Sequence, residues 1–523
     1  MFEYAEETGR WFPDLGNGMY KNPVIFADYS DPDVVRYKGV YYLIASSFNL
    51  TPVIPVLRSF DLINWRICSY ISENLPLDGY DVPQHSRGIW APSLLEHDGR
   101  LYMYVFTPDE GLFVSTSEAP ESTWSPLKKI CSSRGWIDCT VFWDDDGACY
   151  LVHGYAASRA GFNSVLTLRR MSEDGMSLKD EEKTDIFDAR GRHDTLEGPK
   201  LFKRNGWYYI IAPAGGIEHG YQVMLRSKCI EGPYEDRIIL HELEGGTING
   251  PRQGNIVADD SGREWFLHFR DMGSYGRVIC LEPVQWLEDG WAVFGEDVNG
   301  DGIGEPVQTF TKPYVSGNYP EEIPQTDDDF TGEGLGLIWQ WNANHKKDWY
   351  DTSQNPGHLR LRALLPEKSG CLFDQRNLLA CKFPSPNFTA EVTVGLVHDG
   401  VRAGLMAVGN QYGFLELSGG PKECRIIWGR GAVLKEEQWE KAVVKIPAGG
   451  RHQIRLRLAV RFNAVCSFYY EGEDGKFYAI GEEYQTGRDT WMGAKIGLYS
   501  IKNGVPESGG TERYAEFSGF RVF

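Results

Sequence analysis

The sequence contains no apolar run long enough to cross a bilayer, and its opening, MFEYAEETGRW, has neither the basic stretch nor the apolar core of an export signal. A cytoplasmic protein with no membrane partner is therefore expected, with a processed secreted or periplasmic form left open. Its ten cysteines form no CxxC pair and no His/Cys spacing suited to zinc, so they read as free thiols. HExxH, P-loop and GxSxG motifs are all missing, which removes the commonest metalloprotease, nucleotide and serine-hydrolase readings. Basic residues are scarce, with 53 Lys and Arg against 73 Asp and Glu. The net charge of −20 repels a phosphate backbone or an anionic membrane, so nucleic acid is not an expected partner. What the chain has in quantity is glycine (59) and aromatics (16 Trp, 27 Tyr, 26 Phe), the material of tight turns and strands. At 523 residues it is long enough for two or three domains.

A short pattern recurs five times: a polar-Gly turn, two residues, then an aromatic within an apolar run. The copies are KGVYYLIA around Gly39, DGRLYMYV around Gly99, DGACYLVH around Gly147, NGWYYIIA around Gly206 and SGREWFLH around Gly262, spaced 48 to 60 residues apart. Each predicts a β-hairpin, and five units of this length predict a five-bladed β-propeller over residues 1–318. Pro, Gly and acids cluster in a linker at 319–328. Residues 329–523 alternate short β-like runs such as GHLRLRAL, FTAEVTVGL and HQIRLRLAV with turns, and predict a jelly-roll-like β-sandwich.

Eight or nine residues before each hairpin glycine lies the start of what would be the innermost strand of a blade. The residues there are Asp31, Trp90, Asp138, Glu197 and Gln253. Three acids from separate blades would converge on one axial funnel, and two acids flanking a glycosidic bond are the minimum for its hydrolysis. Asp31-Pro32-Asp33 and Glu197-Gly198-Pro199 stiffen the backbone around two of them. Asp144, Asp145 and Asp146 fall in a hairpin turn and are expected to be exposed.

The segments NPVIFADYSDPDVVRYKGVYYLIASSF, GIWAPSL, WIDCTVFWDDDG, LEGPKLFKRNGWYYI and YGRVICLEPVQW resemble the blade motifs of glycoside hydrolase family 43, especially its β-xylosidases and α-L-arabinofuranosidases. DDDFTGEGLGLIWQWNANH resembles the start of the β-sandwich that follows in many of them. The resemblance implies Asp31 as general base, Glu197 as general acid and Asp138 as the acid that tunes and orients it. It likewise implies Arg277 as a contact to sugar hydroxyls, and Phe48 and Trp90 as walls of the terminal-sugar pocket. The activity implied is exo-acting, inverting release of β-D-xylose or α-L-arabinofuranose from plant hemicellulose oligosaccharides. Two alternatives stay open, a non-catalytic carbohydrate-binding protein and a five-bladed glycoside phosphorylase, as does a homo-oligomeric state. Exo action would follow if the segment around Trp339, Trp341 and Trp349 leaned over the funnel rather than filling the sandwich core.

No cofactor or metal is required by this chemistry. Arg252 stands where many relatives have a histidine near an axial ion, and its charge disfavours a cation there. Calcium stays as a secondary option at DVNGDGIGEP, where Asp297, Asn299 and Asp301 fit a calcium loop but Gln308 stands in place of its bidentate Glu.

Overall fold

Each of the five glycine turns closes a hairpin. At Lys38-Gly39, Asp98-Gly99 and Asn205-Gly206 both residues are left-handed, with φ between 49° and 83°, the turn whose twist matches that of its flanking strands. The computed structural model describes residues 7–217, 219–242, 250–367, 370–396, 398, 400–420, 423–433, 437–446, 453–502 and 513–523.

The hairpins grow into five four-stranded antiparallel sheets, each joining its strands in chain order. The first holds Asp33–Tyr37, Val40–Ile44, Val53–Ser59 and Trp65–Ser72, and the second runs from Trp90–His97 to Lys128–Cys131. The third runs from Trp136–Trp143 to Leu178–Asp188, the fourth from Lys200–Arg204 to Glu235–His241, and the fifth from Gly254–Ala258 to Ala292–Phe294. First strands of blades one to four pack on one another in order around the axis, and that of blade five packs on that of blade one. This is the five-bladed propeller expected from the repeat. Closure is reinforced where Met19–Lys21 pairs with Thr309–Thr311, and Ile25 bridges Ile279 of blade five. A shared core of Tyr41, Leu43, Trp265, Leu267 and Leu281 seals the joint between the first and last blades.

The second half folds as two seven-stranded sheets. The strand Gln453–Arg461 shows why: in QIRLRLAVR every second residue is apolar and buried, while the others face outward. Leu456, Leu458, Phe517 and Val392 meet inside, and burying one such side chain contributes about 1.5–3 kcal/mol. The β-sandwich expected from the alternation is present.

Trp339, Trp341 and Trp349 lie in this core, each 2% exposed, and do not lean over the funnel. Their indoles pair with one another and with neighbours such as Phe520 and Tyr350, which corrects the first of the two placements considered. Trp341 also exchanges backbone hydrogen bonds with Thr51 of blade one, so the tryptophan-rich segment anchors the sandwich to the propeller. A second correction concerns Asp144. It is not freely exposed: Lys203 and Tyr208 of blade four donate to it at 2.6 and 2.5 Å, while Asp145 and Asp146 do face solvent.

Candidate active site

The inner strands begin with an unusual backbone step. Asp31, Ala91, Asp138 and Gly198 all have left-handed φ, between 41° and 57°, and each lies two residues before the first residue paired beyond the step: Asp33, Ser93, Thr140 and Lys200. Non-glycine residues rarely adopt this conformation, and Asp tolerates it better than most. Strain of this kind, repeated at one end of the axis, is what a site that presents side chains in fixed directions stores.

The step also refines the equivalence read from the sequence. Asp31 and Asp138 occupy it, but Glu197 sits one residue earlier, level with Trp90. Blade four has Gly198 at the step, where a Cβ would fall 2.9 Å from the Gln253 side chain. A side chain at that position would have to displace Gln253, and the carboxylate comes from the preceding residue.

Asp31 is nearly buried and held on both oxygens: Ser46 Oγ donates to Oδ2 at 2.7 Å and Arg277 Nη1 to Oδ1 at 2.7 Å. Ser46 Oγ in turn accepts from the Ala91 amide, tying blade one to blade two. Arg277, at the start of the third strand of blade five, is 7% exposed and no surface residue. Its guanidinium lies over Phe269 and its backbone N–H donates to Asp28.

Asp138 accepts from the Gly198 amide at 3.0 Å. Burial first, then the neighbouring Glu197 and Asp31 carboxylates, push its carboxyl well above the usual range. Glu197 is the most open of the three, with 28% of its side chain exposed, and Arg252 Nη2 donates to its Oε1. The structure thus brings Asp31, Asp138, Glu197 and Arg277 together.

Phe48 and Trp90 adjoin this group. Phe48 has φ 52°, locked by two reciprocal backbone hydrogen bonds to Ile89. Trp90 is half-buried, its Nε1 donating to Ser86 O and the Arg159 guanidinium lying over its ring.

Two features escaped the sequence reading. The first is Trp491-Met492, in the sandwich loop between Phe477–Gln485 and Lys495–Lys502. Met492 packs with Phe48 and Leu50, while Trp491 meets Trp90 edge-on at 5.9 Å and stands 5.7 Å from the Arg277 guanidinium. The loop is stitched to blade five: Ala494 N donates to Ser274 O, Ser274 Oγ to Thr486 O, and Arg488 to Asp271. Gly493 N donates to Asp28, and a Cβ at Gly493 would strike the Tyr275–Gly276 backbone. An apolar Trp-Met pair inside the polar turn GRDTWMG was the available signal. The second feature is a buried polar plug two residues further along the inner strands. Asp33 accepts from Lys200 Nζ, Asn255 Nδ2 and the Leu94 and Val34 amides, a fully satisfied set that ties four blades together across the axis.

No group of three or more His, Cys, Asp or Glu side chains among the described residues is arranged to hold a metal. In the loop at 297–302, Asp297 accepts from the amides of Gly300, Asp301 and Gly302, the pattern of an Asx-rich turn.

The sequence model described as "Glycosyl hydrolases family 43" matches residues 20–292, and that described as "Beta xylosidase C-terminal Concanavalin A-like domain" matches 327–522. A "Putative beta-xylosidase" of Xylanibacter ruminicola is 34% identical over 497 residues, covering 95% of this chain and 89% of that protein. A "Xylosidase/arabinosidase" of Butyrivibrio fibrisolvens is 27% identical, covering 96% and 98%. Among solved structures, the xylan beta-1,4-xylosidase from Bacillus halodurans shares the fold with a TM-score of 0.82 at 23% identity, covering 96% of this chain and 99% of that one.

Proposed function

Since the chain belongs to glycosyl hydrolases family 43, we propose that Asp31, Asp138 and Glu197 carry out its chemistry as an exo-acting, inverting glycosidase on hemicellulose oligosaccharides. It removes one terminal pentose, β-D-xylose or α-L-arabinofuranose, per cut. The observation that carries this reading is the asymmetric treatment of the acids: Asp31 accepts two donors, while the more open Glu197 faces the mouth from a blade that is not its neighbour. Asp31, with both oxygens serving as acceptors, deprotonates a water that attacks the anomeric carbon. Glu197 delivers a proton to the departing oxygen. Burial first, and then the neighbouring Glu197 and Asp31 carboxylates, hold the Asp138 carboxyl well above the usual range, so Asp138 keeps a proton beside Glu197 where an isolated acid would have lost it. Protons move only between side chains, water and sugar, so no cofactor is called for. Arg277 and the aromatics Phe48, Trp90 and Trp491 hold the sugar. Ten free thiols support a reducing compartment, the cytoplasm, as its place of work.

Blades one and four are not adjacent, which leaves room for water between base and sugar; an inverting pair stands roughly 6.5–9.5 Å apart. Proton NMR of the first-formed sugar should therefore show the anomer opposite to that of the substrate. A retained anomer, or a trapped glycosyl-enzyme, would overturn the mechanism.

Exo action rests on the Trp491-Met492 loop, which walls the mouth beside Phe48 and Trp90 so that only a chain end enters. A labelled xylo- or arabino-hexaose should give monosaccharide and pentamer first. Early dimers and trimers would mean an open cleft.

A further inference from the structure

Arg252 lies in the segment leading into blade five and is 4% exposed. Its position is built rather than incidental. Its backbone N–H donates to Phe269 O at 3.0 Å and its carbonyl accepts from Gln222 Nε2 at 2.7 Å. Two glycines make room for it: a Cβ at Gly220 would fall 2.6 Å from Arg252 Cδ, and one at Gly250 would fall 1.9 Å from Gly220 O. Glu197 is the only carboxylate within ion-pair distance of its guanidinium among the described residues, and only Nη2 is engaged. Nε and Nη1 are buried with no acceptor among those residues. A cation aimed at a catalytic acid by so tight a cradle, with two donors left unsatisfied, is costly to maintain unless that one contact matters.

We propose that Arg252 is a positioning residue for the acid: by holding Glu197 Oε1 it leaves Oε2 as the oxygen that carries the transferable proton. This rests on the reading of Glu197 as the acid. The terminal torsion of a glutamate is soft and roughly two-fold, so an unheld carboxyl presents either oxygen to the substrate. An oxygen already accepting from a guanidinium is the poorer place for a proton, because the cation repels it and occupies the lone pair. Of the charged groups near Glu197, Asp138 and Arg277 are held elsewhere, Asp138 by the Gly198 amide and Arg277 by Asp31. Among the described residues, Arg252 alone touches the Glu197 carboxylate directly.

The test compares leaving groups within one preparation, so that the fraction of folded enzyme cancels. Wild type, Arg252→Met, Arg252→Lys and Glu197→Gln are assayed on a dinitrophenyl pentoside, which needs no protonation, and on a disaccharide, which does. Misplacement of a catalytic group costs up to about 100-fold, so Arg252→Met should lose about 10- to 100-fold in kcat on the disaccharide and only a few-fold on the aryl pentoside. Arg252→Lys, which restores one N–H donor and keeps the charge, should recover part of the selective loss. An equal loss on both substrates for Arg252→Met, or no recovery by lysine, would show the pair to be merely structural and overturn the proposal. Glu197→Gln separates the two ideas: if it too loses both activities equally, the assignment of the acid fails. If it alone is selective, only the role of Arg252 fails.

Discussion

An Asp31→Asn variant should lose about 10³-fold or more in kcat on every pentoside, whatever the leaving group, because an amide cannot take a proton from water. The substitution keeps size and still offers an oxygen to Ser46 or Arg277, so the loss is chemical rather than a collapse of the pocket. Glu197→Gln should behave differently. Its loss should be large, about 10²–10⁴-fold, on sugars with ordinary leaving groups and shrink steadily as the leaving group becomes more acidic and needs less protonation. Kinetics of both variants on aryl glycosides spanning a range of leaving-group pKa values separate the roles. A flat deficit in Glu197→Gln, or a graded one in Asp31→Asn, would reverse the assignment.

Asp138→Asn should trade activity for stability. The Asp138 carboxyl is held well above its value in the unfolded chain, chiefly by burial and then by the neighbouring carboxylates. As pH rises past about 4, the unfolded state ionises Asp138 before the folded state does, so wild-type stability is eroded by about 1.4 kcal/mol for each pH unit up to the folded value. An asparagine stays neutral and can still accept from the Gly198 amide. The variant should therefore melt a few degrees above wild type at neutral pH, with the gap closing below about pH 4, while kcat falls about 10²-fold. Thermal melts across pH would refute this if the two proteins melted together at pH 7.

The propeller was legible because its punctuation is local. A left-handed glycine turn is written in two residues, and five such turns at even spacing imply the ring. The acids could be placed to within a residue by counting back from those turns. The one-residue offset of Glu197 could not be seen, since it depends on Gln253 crowding Gly198 from the next blade. The plug around Asp33 was hidden for a similar reason: Lys200 reaches it across 167 positions of chain. The tryptophans near residue 340 show the limit of composition as a guide. Composition left them free either to lean over the mouth or to fill the sandwich; the core absorbed them, and Trp491, far along the chain, took the place at the mouth.

The plug lies beneath the acids and the stitched loop beside them, so the site is bounded from below and from one side. Asp33, Lys200 and Asn255 close the axis beneath the acids, and the hydrogen bonds that Ser274 donates and that Asp28 and Asp271 accept keep the sandwich from swinging aside. After cleavage the freed monosaccharide therefore lies at the blind end, behind the shortened chain that has just surrendered it. The two products are then expected to depart in order, the oligosaccharide first and the pentose last. Free pentose can then re-enter the empty enzyme and occupy the seat that the next chain end requires, so the architecture that enforces one-sugar trimming also makes accumulated product a competitor of the substrate.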